Sequence, residues 1–124
     1  MSFMVLVAVD DLLFSSKIRA TAKQLGVDVQ FARTPEEILS QVKALKPALA
    51  IFDLNSAKTD PIATISALKR DPGATGVRAI GFASHVHTDL IAAARAAGAD
   101  DVLPRSAFVG RLAEILQAAH PSRP

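Results

Sequence analysis

Three aspartates follow apolar runs that have the composition of buried strands. Asp10 and Asp11 come directly after the run 3–9, and Asp53 comes directly after the run 48–52. Buried parallel strands are almost wholly apolar, and ligands bind beyond their carboxyl ends. Acids just past two such strands are therefore expected to face one crevice. Carboxylate oxygens suit a hard cation such as Mg²⁺, so the spacing predicts a cation site there.

A simpler role is open for Asp11 considered alone. Aspartate is a preferred N-cap residue, and apolar residues with helical spacing begin directly after it, at Phe14 and Ile18. Capping accounts well for one acid. A shared cation accounts better for three acids that converge on one edge.

Length and composition restrict the classes of function. The 124 residues predict one domain, 1–120, and a disordered C-terminal tail, 121–124. Fourteen scattered basic residues against twelve acidic ones, without Trp or Tyr, argue against direct nucleic-acid binding. The longest apolar runs fall far short of the roughly 18 residues of a membrane span. Because there is no cysteine and the chain begins directly with a strand, we expect a cytoplasmic protein.

The chain alternates between strand-like and helix-like segments. The strand-like runs are 3–9, 27–32, 48–52, 77–82 and 101–103. Gly26 ends the first predicted helix, Thr34 to Glu37 forms a capping box for the second, and Asp60 is the predicted cap of the third. The last helix is predicted as one continuous helix from near Ser106 to Ala119. Such alternation predicts an α/β sandwich with a parallel sheet covered on both faces.

With these motifs, the chain resembles the receiver domain of two-component response regulators, from the first strand to about Leu116. Asp10 and Asp11 are similar to the acidic pair of that family, Asp53 is similar to its phospho-accepting aspartate, and the segment 98–105 is similar to its final loop. The resemblance implies a flavodoxin-like (βα)5 three-layer sandwich whose parallel five-stranded sheet has the order 2-1-3-4-5. Neither a phosphate-cradling G-x-x-x-x-G-K loop nor a recognisable catalytic triad is present, so we expect no enzymatic activity.

The resemblance also implies a set of metal ligands. Asp11, Asp53 and the backbone carbonyl of Asn55 would hold Mg²⁺ directly, and Asp10 would act through a metal-bound water. Asp53 would be the phospho-acceptor, because its charge and that of the incoming phosphoryl group need a cation to offset them.

Three positions depart from the family pattern in ways that affect signalling. Ala83 stands where the family has a Thr or Ser whose hydroxyl binds a phosphoryl oxygen, and Val102 replaces its switching Tyr or Phe. Neighbouring strand residues point to opposite faces, so Ser84 replaces the hydroxyl only if the strand slips or bulges. These departures identify a divergent receiver, or pseudo-receiver, with a weakened switch.

Arg105 is the third departure, because the family has a Lys followed by Pro at this point and here the sequence is Arg105-Ser106-Ala107. A non-proline cis peptide costs about 2.5 to 4 kcal/mol, so the family's cis bond is not expected. Arg and Lys are not interchangeable, since Arg is planar and always charged. One hypothesis is that Arg105 pairs with Asp53 and occupies the phosphate position.

Three functions stay open on this basis. The first and favoured one is a signal-transduction module that acts by binding another signalling protein. The second is a working phospho-acceptor that takes phosphate from a histidine kinase on Asp53. The third is a dimerising domain of a larger signalling protein, with a homodimer contact through the face of the fourth and fifth helices. His85 and His87 are interpreted as part of a polar loop rather than as a metal pair.

Overall fold

The computed structural model describes residues 4–74, 76–84 and 88–118. Strands and helices alternate along this part of the chain. The strands are β1 Met4–Ala8, β2 Asp28–Phe31, β3 Leu49–Asp53, β4 Arg78–Ala83 and β5 Asp101–Pro104. The helices are α1 Leu12–Leu25, α2 Pro35–Leu45, α3 Pro61–Arg70, α4 Thr88–Ala97, α5 Arg105–Gly110 and α6 Leu112–Gln117, with a short 3₁₀ turn at Pro72–Ala74. Within the described ranges, no helix combines the length and apolar character needed to cross a membrane.

All five strands pair in parallel in the order β2-β1-β3-β4-β5. The predicted flavodoxin-like fold and strand order are therefore confirmed. The order places β1 and β3 side by side, so the winding of the chain reverses between them. Ligand crevices of open α/β sheets lie at this reversal, beyond the carboxyl ends of the strands.

Two apolar layers cover the sheet, and side chains alternate between them along each strand. We call the layer under α1, α5 and α6 the upper core; it contains Phe14, Ile51, Phe82 and Phe108. The layer under α2, α3 and α4 is the lower core; it contains Phe52, Ala83, Ala94 and Val102. The alternation therefore decides which layer each residue near the sheet edge can influence.

The ends of α1 and α2 follow the sequence prediction. Gly26 adopts the left-handed conformation at the end of α1, with φ of 71°. The Thr34 hydroxyl accepts the backbone N–H of Glu37 at 3.2 Å, and the Glu37 carboxylate accepts the backbone N–H of Arg33 at 2.8 Å. The prediction for Asp60 is wrong in one respect: Asp60 occupies the N-cap position of α3, but its side chain makes no capping hydrogen bond.

The predicted last helix is divided into α5 and α6 at Arg111. The Arg111 N–H turns toward the carbonyls of Ala107 and Phe108 together, and Gly110 before it is a poor helix former. The apolar stripe through Phe108, Leu112 and Ile115 still faces the sheet, as predicted. Ala119 and the predicted tail 121–124 lie outside the described residues.

Lys69 and Asp100 connect α3 to the edges of β4 and β5. The ammonium of Lys69 donates to the Asp100 carboxylate at 2.6 Å and to the Val77 carbonyl at 3.1 Å. The same carboxylate accepts the backbone N–H of Ala79 at 2.8 Å. Burial acts to raise the pKa of Asp100, but the Lys69 and Ala79 hydrogen bonds and the charges of Lys69 and Arg78 outweigh it, so the pKa is lowered.

This contact predicts a pH-dependent contribution to stability. Because the folded-state pKa of Asp100 is lowered, its contribution is present above about pH 4 and is lost as the pH falls through the folded-state value. Asp100→Asn should cost about 1 kcal/mol near neutral pH, since the group is partly exposed and screened, and the cost should shrink in acid. Urea unfolding between pH 7 and pH 2.5 measures this, with the exposed Asp28→Asn as control. An equal cost for Asp100→Asn at every pH would contradict the prediction.

Candidate functional site

The carboxyl edge of β1 and β3 brings three predicted acids together. Asp53 ends β3 and is 6 % exposed, Asp10 is half-buried, and Asp11 is exposed. Burial raises the pKa of Asp53; the backbone N–H of Asn55 and the charge of Arg105 oppose that rise, whereas the charges of Asp11 and Asp10 add to it. The three acids thus lie at one edge of the sheet, where the charges of Asp10 and Asp11 disfavour the charged form of Asp53.

Asp11 has the capping role that was open for it. Its Oδ1 accepts the backbone N–H of Phe14 at 3.1 Å, which satisfies a free donor in the first turn of α1. That hydrogen bond is the main reason why the pKa of Asp11 is lowered, and the charge and hydrogen bond of Arg105 lower it further. Capping uses one carboxylate oxygen and leaves the other directed toward the crevice.

Arg105 contacts that second oxygen. Its Nη2 lies 3.4 Å from Asp11 Oδ2, and both side chains are about two-fifths exposed. Arg105 donates its hydrogen bond to Asp11 and not to Asp53, so the hypothesis that Arg105 pairs with Asp53 is corrected. The positive charge of Arg105 still acts to lower the pKa of Asp53. No cis peptide bond occurs in the described part of the chain, which agrees with the expectation for Arg105-Ser106.

Three phenylalanine rings form the floor beneath the guanidinium of Arg105. The Cζ of Arg105 lies 4.6 Å from the centre of the Phe14 ring and 5.8 Å from that of Phe82. Phe82 stacks on Phe108 at 4.5 Å, and Phe14 packs against both rings. Sequence reasoning placed these residues in the core and missed their contact with the site. The sequence did contain a signal for this contact: Phe14 is three residues after the N-cap Asp11, so the phenyl ring and the capping carboxylate lie on the same turn of α1.

Asn55 has a second role besides the carbonyl predicted as a metal ligand. Its backbone N–H donates to Asp53 Oδ1 at 3.0 Å, and its side-chain Oδ1 accepts the backbone N–H of Ser84 at 3.1 Å. The amide therefore bridges the loop after β3 to the end of β4. Sequence reasoning missed this bridge, because the two residues are far apart along the chain.

The two predicted switch positions lie in the lower core. Ala83 is fully buried and pairs with Pro104, and Val102 is 3 % exposed and pairs with Gly81. β4 pairs without a bulge with β3 as far as Phe82 and with β5 as far as Ala83, so the strand does not slip within these ranges. Ser84 follows the end of β4 and lines a cavity with Arg105 and Ser106, whereas the Ala83 side chain lies in the lower core. The two side chains therefore lie on different sides of the sheet edge.

Ser84 lines a cavity that shares Arg105 with the acidic edge. Ser84, Arg105, Ser106 and Val109 line this space, which has a volume of about 560 Å³. It contains two hydroxyls and one guanidinium, whose chemistry suits an oxyanion.

The residue types of the crevice suit Mg²⁺, whereas their arrangement is incomplete. Carboxylate and carbonyl oxygens are the donors that this ion prefers. Nevertheless, among the residues that the structure describes, no three His, Cys, Asp or Glu side chains form a group able to hold a metal ion. Mg²⁺ binding by Asp10, Asp11, Asp53 and the Asn55 carbonyl thus stays a prediction. His85 and His87 lie outside the described residues.

Fold and crevice together define a flavodoxin-like α/β domain with an acidic site at the reversal of its sheet. The family model of the response regulator receiver domain matches residues 5–117, and the chain belongs to this family. A comparison with curated proteins finds no match.

Solved structures share the fold over nearly their whole length. A response regulator from Chloroflexus aurantiacus is 18 % identical with a TM-score of 0.84, and the match covers 96 % of this chain and 98 % of that one. A response regulator from Hahella chejuensis is 23 % identical with a TM-score of 0.84 and 95 % coverage of both chains. The phosphorylated cyanobacterial phytochrome response regulator RcpA is 17 % identical with a TM-score of 0.79, covering 95 % and 91 %. At these identities the likeness establishes the fold alone.

The Asn55 bridge gives a testable expectation. Asn55→Ala removes the acceptor of the Ser84 N–H, so hydrogen exchange at that amide should speed up several-fold, corresponding to about 1 kcal/mol. Asn55→Asp retains an acceptor oxygen and should protect Ser84 nearly as well as Asn55 does. Both variants keep the backbone carbonyl, so amide exchange measured by NMR isolates the side chain. Equal exchange rates at Ser84 in the wild type and Asn55→Ala would show that the bridge contributes nothing.

Proposed function

We propose that this receiver domain is a signal-transduction module that acts by binding another signalling protein, with its phosphorylation-dependent switch weakened. In this proposal it is a divergent receiver, or pseudo-receiver, and not an enzyme. Membership of the receiver family supports the signalling role and an interaction with other signalling proteins. The apolar residue Ala83 at the end of β4, where the family has a hydroxyl, supports a weakened switch.

The observation that carries the proposal is the pair Ala83 and Val102. Both side chains are apolar and lie in the lower core, the layer that α4 also covers. A hydrogen bond to a charged group contributes about 1.5 to 3 kcal/mol, and coupling between two sites is typically about 1 to 3 kcal/mol. One missing hydroxyl therefore removes an interaction as large as an entire switch, and the side chain of Ala83 has no atom that can hydrogen-bond a phosphoryl oxygen.

The Asn55 bridge supports the same conclusion. In receivers with a hydroxyl at the end of β4, that group can draw the strand end toward the loop that bears the phosphoryl group. Here the backbone of Ser84 is already tied to that loop by Asn55 Oδ1. A connection that exists without phosphate leaves less movement for phosphorylation to cause.

A working phospho-acceptor is the second candidate, and the cavity lined by Ser84, Arg105 and Ser106 favours it. A carboxylate oxygen of Asp53 would attack the phosphorus of a phosphohistidine of a histidine kinase. The phosphorus–nitrogen bond would break, and its electron pair would leave on the imidazole nitrogen, which then takes a proton. Bound Mg²⁺ would offset the negative charge of carboxylate and phosphoryl group. RcpA, which shares the fold, is described as phosphorylated.

A homodimer through the face of α4, α5 and α6 is the third arrangement. It would make the domain a dimerising unit of a larger signalling protein. Sedimentation of the chain across a wide range of concentrations tests it, and a monomer throughout would remove this candidate.

Amide NMR spectra test the proposed function. Spectra are recorded with Mg²⁺ and a phosphate-mimicking fluoride for the wild type and for Asp53→Asn. We expect shifts in the wild type that are confined to the residues around Asp53 and Asn55, and no shifts in Asp53→Asn. Shifts that extend to Val102 and α6 would overturn the proposal in favour of the second candidate.

A gain-of-function variant sharpens this test. Ala83→Ser adds one hydroxyl at the switch position with little added volume, so shifts should spread further from Asp53 than in the wild type. Ala99→Ser, at a partly buried alanine of the lower core away from the crevice, is the matched control and should respond like the wild type. An identical response of Ala83→Ser and the wild type would mean that the missing hydroxyl does not limit the switch.

A further inference from the structure

We propose that the guanidinium of Arg105 is a built-in counter-ion of Asp11 that competes with Mg²⁺ for the acidic crevice. This inference rests on the Mg²⁺ site considered under the proposed function, but it does not depend on whether the switch works.

The first observation is that both oxygens of Asp11 are engaged. Oδ1 accepts the Phe14 N–H at 3.1 Å, and Oδ2 lies 3.4 Å from Arg105 Nη2. A magnesium ion requires carboxylate oxygens at about 2.0 to 2.1 Å in near-octahedral geometry. The capping oxygen cannot turn to a metal without releasing the helix end, so the oxygen beside Arg105 is the one that a metal would take.

The second observation is that the guanidinium of Arg105 packs on aromatic rings of the upper core. Its Cζ lies 4.6 Å from the centre of the Phe14 ring and 5.8 Å from that of Phe82. Phe82 and Phe108 are fully buried and stacked, and Phe14 packs against both, so the three rings form a closely packed floor. A guanidinium over an aromatic face gains a cation–π interaction, which a more strongly hydrated ammonium gains less readily.

The third observation concerns charge. Asp10, Asp11 and Asp53 lie close enough that the first two disfavour the charged form of the third, and Arg105 opposes them. One guanidinium offsets one of these charges, and it does so without any bound ion.

A titration with Mg²⁺ alone tests the competition. The metal is added at constant ionic strength and pH 7, and binding is followed through the amide signals of Asp11 and Asn55. Arg105→Met keeps a long side chain without charge and should bind Mg²⁺ about three- to tenfold more tightly than the wild type, the size expected from losing a half-exposed ion pair and a cation–π contact. Arg105→Lys keeps the charge but loses the planar contact, and should lie between the two.

Arg111→Met is the matched control. It removes the same charge from an exposed arginine that pairs with Glu114 away from the crevice, so it should leave the affinity unchanged. Asp11→Asn should abolish tight binding in both the wild type and the Arg105→Met background, which locates the metal.

A second readout follows the guanidinium itself. In the wild type, added Mg²⁺ should shift the Arg105 side-chain N–H signal and the Phe14 ring signals together, because a metal ion at Asp11 Oδ2 would repel the guanidinium from that oxygen. Equal affinity of Arg105→Met and the wild type, an equal gain in Arg111→Met, or no binding by any variant would overturn the inference. The spread of shifts toward Val102 in the fluoride experiment bears only on the proposed function, so the two can fail separately.

Discussion

The parallel pairing of β1 with β3 brings together the carboxyl ends of two apolar strands, where Asp10, Asp11 and Asp53 lie, and the rest of the site follows from this pairing. Ala8 pairs with Phe52, so the acids that follow β1 lie beside the one that ends β3. The negative charges of Asp10 and Asp11 disfavour ionisation of Asp53, and the burial of Asp53 disfavours it further. A fold that keeps these acids must supply positive charge to the edge, either from the chain or from a bound ion.

The side-chain alternation of the strands divides that edge into two halves with different consequences. Asp53 continues the row of Ile51 and lies opposite Phe82, so it belongs to the half beside α1 and α5. Arg105 and the Phe14 ring are in the same half. Ala83 and Val102 belong to the other half, under α4. The acids and Arg105 therefore lie on a different side of the sheet from Ala83 and Val102, so a substitution at these two positions need not alter the contacts of the acids.

The sequence predicts the architecture well because its signals are local. Apolar runs, Gly26 after α1 and the Thr34 capping box each depend on a few neighbouring residues, and each is found where it was expected. Asp60 fails as a cap because its backbone is left-handed, with φ of 44°, which the residue type does not reveal. The last helix is divided where the Arg111 N–H donates to the carbonyls of both Ala107 and Phe108. Such a bifurcated hydrogen bond does not alter the spacing of apolar residues, which is the pattern used to predict the helix.

The candidate site is only partly predictable for a related reason. The positions of Asp10, Asp11 and Asp53 follow from strand ends and topology, which patterns and family resemblance supply. The partner of Arg105 cannot be predicted in this way, because Asp11 and Asp53 are both acids at the same edge of the sheet. Side-chain packing decides which of the two Arg105 contacts. The decisive contact is the Phe14 ring, which occupies the turn after Asp11 and draws the guanidinium to that side.

The difference between Arg and Lys at position 105 has a physical meaning in this setting. A lysine would present a compact, strongly hydrated charge, and it would gain little from the flat face of Phe14. An arginine can lie on the ring and still direct one nitrogen at Asp11, so one side chain joins the aromatic floor to the acidic edge. The floor consists of upper-core residues that stabilise the fold in any case. The resting position of the counter-ion is therefore fixed by the same packing that holds α1, α5 and the sheet together, and a change in that packing would also change the charge balance at Asp53.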